Sequence, residues 1–279
     1  MKKITTLSAK TMSQHGLTLI EVLVSMGLGI FFLGIAVQYL VVGQQSNQVH
    51  DAGSRIQENA RFANNLLRES IRLSGYNGDP TTLFVPEFIY TGACDEGPDC
   101  TDDEIGDNRG DRIAVTQFAD SNVSQDCLGT AVTAGTRFAN VFWVEEVNGV
   151  RSLYCQGWDI NASSALAGAQ PLVDGIEQMQ VQYGLSNVGA QDFFGPVVGF
   201  LSAEAVQALD GWDFVRSVRI SILVDSGLQT DESNLAGVTA RQAASRTYAL
   251  LDGPNVTLND DRIRRVYTAT IELNNSSIF

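Results

Sequence analysis

The chain has 279 residues, 44% of them hydrophobic, enough to bury one or two cores of ordinary size, and a formal net charge of −14. Such an acidic surface repels the phosphate backbone that dominates nucleic-acid binding, so nucleic acid is excluded as the main ligand. The charge is unevenly laid out: the three lysines, Lys2, Lys3 and Lys10, all precede Gly16, and the other 15 positive residues are arginines from Arg55 onward.

Residues 1–16 therefore read as a small basic leader, and without it 15 arginines face 32 acidic residues, a side-chain charge of −17. Residues 17–43, LTLIEVLVSMGLGIFFLGIAVQYLVVG, hold one charged side chain, Glu21. As a helix this run exceeds the ~20 residues needed to cross a bilayer. The basic leader before it, with no positive residue after it until Arg55, predicts a cytoplasmic N-terminus and an external head. A secretory signal would place its small-residue cleavage site after the apolar core; here the junction His15-Gly16-Leu17 stands before it, so the apolar segment survives processing. A carboxylate inside an apolar span costs about 2.5–3.5 kcal/mol, which marks Glu21 as a functional residue needing a compensating partner.

Residues 44–73 contain no proline, and Val49, Ile56, Ala60, Ala63, Leu67 and Ile71 form a helical stripe, predicting that the helix continues as a stem. From Leu17 to Leu73 it would run roughly 85 Å, ended by Ser74, Gly75 and the Gly78-Asp79-Pro80 run. No proline interrupts the span, which has only Gly27, Gly29, Gly34 and Gly43 as flexible points.

Residues 74–279 change period to alternating strands separated by Gly, Asn and Asp, predicting a mainly antiparallel β head. The fold class is α+β, a long N-terminal helix packed on that head. The clearest hairpin is VFWVEEV-Asn148-Gly149-VRSLYC, whose Asn-Gly pair suits a type I′ turn. Further strands are expected at Gln178–Leu185, Phe214–Val224 and Ile263–Leu273, and a short helix at Ser202–Leu209 with Ser202 as its cap. Four cysteines, Cys94, Cys100, Cys127 and Cys155, fit two disulfides in an oxidising compartment. They permit three connectivities; Cys94–Cys100 would close a small acidic loop and Cys127–Cys155 would tie the hairpin to the loop before it.

No metal or other cofactor is expected. There is no CxxC pair, and the histidines are His15 in the leader and His50 on the stem. The acidic stretch Asp95, Glu96, Asp99, Asp102, Asp103, Glu104, Asp107 and Asp111 fails the spacing of a calcium loop and reads as a solvated segment. Arg109-Gly110-Asp111 is ordinary turn chemistry. Val224-Asp225-Ser226-Gly227 lacks a full nucleophile-turn pattern and has no imidazole base at hand. No nucleophile, base and donor set can be assembled, so catalysis is not expected.

Gly16 followed by Leu17, Thr18, Leu19, Ile20, Glu21, Val22 and Leu23 resembles the type IV prepilin motif, with leucine in place of the usual phenylalanine. The resemblance implies that a prepilin peptidase cuts between Gly16 and Leu17 and methylates the new amino group of Leu17. It also implies that Glu21 pairs with the charged amino terminus of a neighbouring subunit. The distal runs CLG, LYCQG, LVDGIEQMQVQYG, VRSVRISILV and RRVYTATIELNN are similar to those of the PilW family of minor pilins. That family implies a type IV pilin-like fold and a subunit that primes pilus assembly and sits near the tip, in support of motility or adhesion. Its implied partners are minor and major pilins, the inner-membrane assembly platform and a tip adhesin. The chain would be single-pass in the inner membrane with its head in the periplasm, then extracellular in the pilus. The same leader and stem would suit a GspJ-like minor pseudopilin of type II secretion, and a non-assembling membrane-anchored adhesin would need neither Glu21 nor the cut at Gly16.

Overall fold

The computed structural model describes residues 18–77, 87–94, 99–103, 110–190, 195–226, 245–259 and 262–277. Gly16, Leu17, the leader, Pro80 and much of the acidic stretch (Asp95, Glu96, Glu104, Asp107), with Arg109, lie outside them. Two units divide between His50 and Asp51.

One α-helix, α1 (Leu19–Arg72), runs 54 residues. Its sequence offers nothing to stop it sooner, since the first proline is Pro80. It ends where Gly75 takes φ +70°, the left-handed geometry a glycine tolerates at a helix C-terminus, and donates its N–H to the Thr116 carbonyl at 2.8 Å. In the second unit the stripe Ala52, Ile56, Ala60, Ala63, Leu67 and Ile71 is at most 2% exposed. Val49, which the sequence pattern places in that stripe, is 56% exposed, and Ala52 is the first buried member.

The remaining strands, in chain order, are β1 (Ile113–Phe118), β2 (Arg137–Val147), β3 (Val150–Asp159), β4 (Ser164–Ala165), β5 (Gln170–Asp174), β6 (Ile176–Leu185), β7 (Gly199–Leu201), β8 (Val215–Asp225), β9 (Arg246–Tyr248), β10 (Val256–Leu258) and β11 (Arg264–Glu272). A first antiparallel sheet runs β1-β2-β3-β4 with β5 also on β3; a second runs β11-β8-β6-β7; β9 and β10 form a separate ladder. The β2–β3 hairpin turns at Asn148 and Gly149, φ +54° and +78°, the two positive values a type I′ turn requires. The short helix α2 (Ala203–Ala208) follows Ser202, whose hydroxyl accepts from Ala205 N–H.

The α1 stripe meets inward residues of both sheets, among them Ile113, Phe142 and Leu153 of the first and Met179, Val181, Ile220 and Ile222 of the second. Period-2 alternation explains this: Phe142 and Val144 point to the core while Ala139 and Val141 point the other way, into a second cluster with Ala114 and Trp158. Asn59 of α1 adds a polar fastening, donating to the Asp174 carbonyl at 2.9 Å.

Candidate assembly site

Thr18 opens α1 by accepting from the N–H groups of Glu21 and Val22 at 3.1 and 3.2 Å, so Glu21 lies in the first helical turn. A carboxylate there faces the positive end of the helix dipole. Between residues 18 and 43 Glu21 is the sole acidic or basic side chain, and it is exposed. Around it the apolar side chains are bare: Ile20 is 70% exposed, Phe32 64% and Leu40 64%. An all-round apolar helix of this kind is stable only when lipid or other protein covers it. Among the described residues it is the one helix long and apolar enough to cross a membrane.

In the second unit the four cysteines pair as Cys94–Cys100 and Cys127–Cys155, with Cα separations of 5.0 and 6.4 Å. They lie on opposite faces of the first sheet. Cys155 is in the main core with Cys127 packed against it, whereas Cys94 and Cys100 are buried against Trp158 on the outer face.

Of the described members of the acidic stretch, Asp99 is exposed, as a solvated segment would have it, whereas Asp102, Asp103 and Asp111 have structural partners. Asp102 exchanges backbone hydrogen bonds with Arg112. Burial, with Asp103 and Asp99 adding like charge, pushes its carboxyl above the usual range. Asp103 accepts from Ala203 and Glu204 N–H at 2.9 and 2.7 Å, capping α2 from a hundred residues away. Asp111 is 3% exposed and accepts from Val181 N–H at 2.6 Å. Gly110 has φ +91°, and a Cβ there would overlap the Met179 carbonyl. Gly110 and Asp111 are thus a fitted plug against β6. Among the described residues no three His, Cys, Asp or Glu side chains converge to hold a metal ion.

Asp225, in the run that loosely resembles a nucleophile turn, is 2% exposed and accepts from Arg262 at 2.8 Å. Beside it Arg264 grips both oxygens of Glu177, one at 2.8 Å. Burial raises the Glu177 carboxyl against the opposing pull of Arg264. Three clefts of about 320, 280 and 330 Å³ open on this unit, and none is lined by a histidine or a free thiol. The geometry supplies anchoring surface, clamps and caps.

Residues 141–275 match the family model described as Type IV Pilus-assembly protein W, which establishes the PilW resemblance for that stretch. No curated protein sequence matches the chain. Among solved structures, a type IV-like pilin from Thermus thermophilus aligns with 12% identity and a TM-score of 0.40, covering 80% of this chain and 97% of that one.

Proposed function

We propose that this chain, whose residues 141–275 carry PilW-family sequence, is a minor pilin that primes type IV pilus assembly and resides near the pilus tip. The family match carries the reading. The apolar half of α1 and its single carboxylate supply what such a subunit needs: an anchor before assembly and a polar contact within it.

Peptidase cleavage between Gly16 and Leu17 removes the basic leader and leaves a methylated, positively charged amino group four residues before Glu21. A lone carboxylate in lipid costs about 2.5–3.5 kcal/mol, so the amino terminus of an adjoining subunit lowers that cost only when the two helices are in register. Cutting and assembly become one mechanism. Until then residues 17–43 hold the chain in the inner membrane, residues 44–73 serve as stem and residues 74–279 stand in the periplasm as head. The partners are the peptidase, the assembly platform, other pilins and a tip adhesin. The role is structural rather than catalytic. The PilW match favours a pilus over a type II secretion pseudopilus.

Glu21→Ala should leave processing intact and lower the amount of the chain in sheared filaments at least about tenfold, given the cost of the lone carboxylate. Equal incorporation would sink the pairing. Gly16→Val should leave a precursor retaining its leader, seen as reduced gel mobility; normal mobility with normal piliation would contradict the cleavage site.

A further inference from the structure

An asparagine followed two residues later by serine or threonine, on an exposed loop of an exported chain, is the acceptor pattern for N-linked glycan. Five asparagines here carry it: Asn122, Asn161, Asn255, Asn274 and Asn275. Their settings separate them. Asn275 donates its side-chain amide to the Ser74 carbonyl at 2.8 Å and lies with Asn274 in the 3-10 helix Asn274–Ser277. Asn255 leads into β10, where Thr257 is held in the ladder with β9 and its hydroxyl meets that of Thr247 at 3.0 Å. An acidic residue stands two positions before Asn122, Asn161 and Asn274; before Asn274 it is Glu272, a strand residue of β11.

The runs Asp120-Ser121-Asn122-Val123-Ser124 and Asp159-Ile160-Asn161-Ala162-Ser163 are built alike. In each, one oxygen of the leading aspartate accepts the backbone N–H of the asparagine and of the residue after it. Asp120 accepts from Asn122 and Val123 at 2.7 and 2.8 Å, and Asp159 from Asn161 and Ala162, both at 2.9 Å. These bonds reverse the chain at the asparagine, and in both runs the asparagine and the serine are exposed. The turns do not need their serines: among the described residues the hydroxyls of Ser124 and Ser163 have no partner. Asn161 lies in the turn closing β3 onto β4, between the paired Asp159 and Ser164. Its side-chain oxygen accepts from Arg137 N–H at 3.2 Å, and among the described residues its amide nitrogen has no partner. The nitrogen of Asn122 is engaged, donating to the Tyr76 hydroxyl at 3.2 Å.

We propose that Asn161, and less often Asn122, is an acceptor for an N-linked oligosaccharide delivered from a polyprenyl diphosphate. The side-chain nitrogen attacks the anomeric carbon of the first sugar. A C–N bond forms, the C–O bond to the diphosphate breaks with its electron pair leaving on the diphosphate, and one amide proton passes to a base of the transferase. The serine hydroxyl two residues on is the group the transferase reads, and Ser163 offers it uncovered. The two aspartate bonds fix the turn beforehand, so less chain entropy is lost on docking than from a loop without them. Thr257 would instead have to leave its ladder, exposing paired backbone groups. The same physics orders the two acceptors: Asn122 must first give up the Tyr76 hydroxyl, whereas Asn161 gives up no partner of its nitrogen. Transfer takes place outside the cytoplasm, so the inference rests on the proposed export of the head.

The test takes the full chain, in detergent, from the membranes of its native cells and reads its peptides by mass spectrometry, with free thiols labelled in the same sample. Sugar should be found on Asn161 in the largest share, on Asn122 in a smaller one, and on Asn255 at most about a tenth as often as on Asn161. Ser163→Ala removes an exposed hydroxyl, so the thermal melt should stay. Occupancy of Asn161 should then fall at least about tenfold, since a site built to bind a hydroxyl rejects the chain that lacks it. Asn161→Gln should clear the sugar from that loop and leave Asn122 as it was. Sugar kept in Asn161→Gln and lost in Ser163→Ala would put it on the serine and overturn the nitrogen as acceptor. Bare Asn161 and Asn122 in a chain whose four cysteines are oxidised would overturn the sites alone, and bare asparagines with free thiols would overturn the export as well. Equal occupancy of Asn255 and Asn161 would overturn the part given to the aspartate turns.

Discussion

The two halves of α1 are one unbroken helix with opposite treatments of their apolar side chains. From Ala52 to Ile71 the apolar residues form a stripe that the two sheets cover, while from Leu19 to Val42 they surround the helix and, among the described residues, are left largely exposed. The difference is written in their patterns. A stripe needs one neighbour, and an all-round apolar surface needs a solvent of its own or a ring of partners.

The largest effect should come from the covered half. Leu67→Ala removes a side chain 1% exposed and should lower the stability of the second unit by about 2–5 kcal/mol, read by denaturation of the detergent-solubilised chain through Trp143, Trp158 and Trp212. Leu33→Ala, at a position 66% exposed, should leave the midpoint unchanged. Equal losses from the two would erase the contrast.

Next in size is the Cys127–Cys155 disulfide. It closes a separation of 28 residues and should contribute about 3–4 kcal/mol, against about 2 kcal/mol for Cys94–Cys100 with a separation of 6. Paired Cys→Ala variants compared by urea midpoint test the order, and the reverse order would contradict it.

Gly110→Ala should cost about 1–3 kcal/mol, because its φ of +91° is strained for alanine and the added carbon would meet the Met179 carbonyl. Gly129→Ala, at φ +78° with open space around it, should cost less. Equal costs would mean that the plug against β6 is loose.

The smallest effect concerns Asp120, whose carboxylate accepts from Val123 and Asn122 N–H and is held below its ordinary 3.8 by them. The unfolded chain binds more protons there, so this stabilisation is present above pH 3.8 and is lost as pH falls through the lower folded value. Amide exchange at Asn122 and Val123 should speed up over that acid range, and Asp120→Asn should remove the pH dependence.

Sequence pattern made much of the fold legible. The helix, the Asn148-Gly149 turn and the strands β6, β8 and β11 all announce themselves by period or turn chemistry. Strand β1 does not, because Ile113, Ala114, Val115, Thr116 and Gln117 are buried on both faces and show no alternation. The clamps were hidden for another reason. Asp103 caps α2 and Arg264 grips Glu177 across 100 and 87 residues of chain, distances over which spacing carries no signal. Asp111 looks like one carboxylate among several until Met179 and Val181 are beside it. The resemblance at Gly16, Leu17 and Glu21 is local and fully legible, but the role proposed for these residues involves a second subunit.

Mass spectrometry of the chain recovered from sheared filaments tests the proposed role most directly. The account predicts a polypeptide beginning at N-methylated Leu17 and present in those filaments. A chain still beginning at Met1, or one missing from filaments while abundant in the membrane, would contradict it.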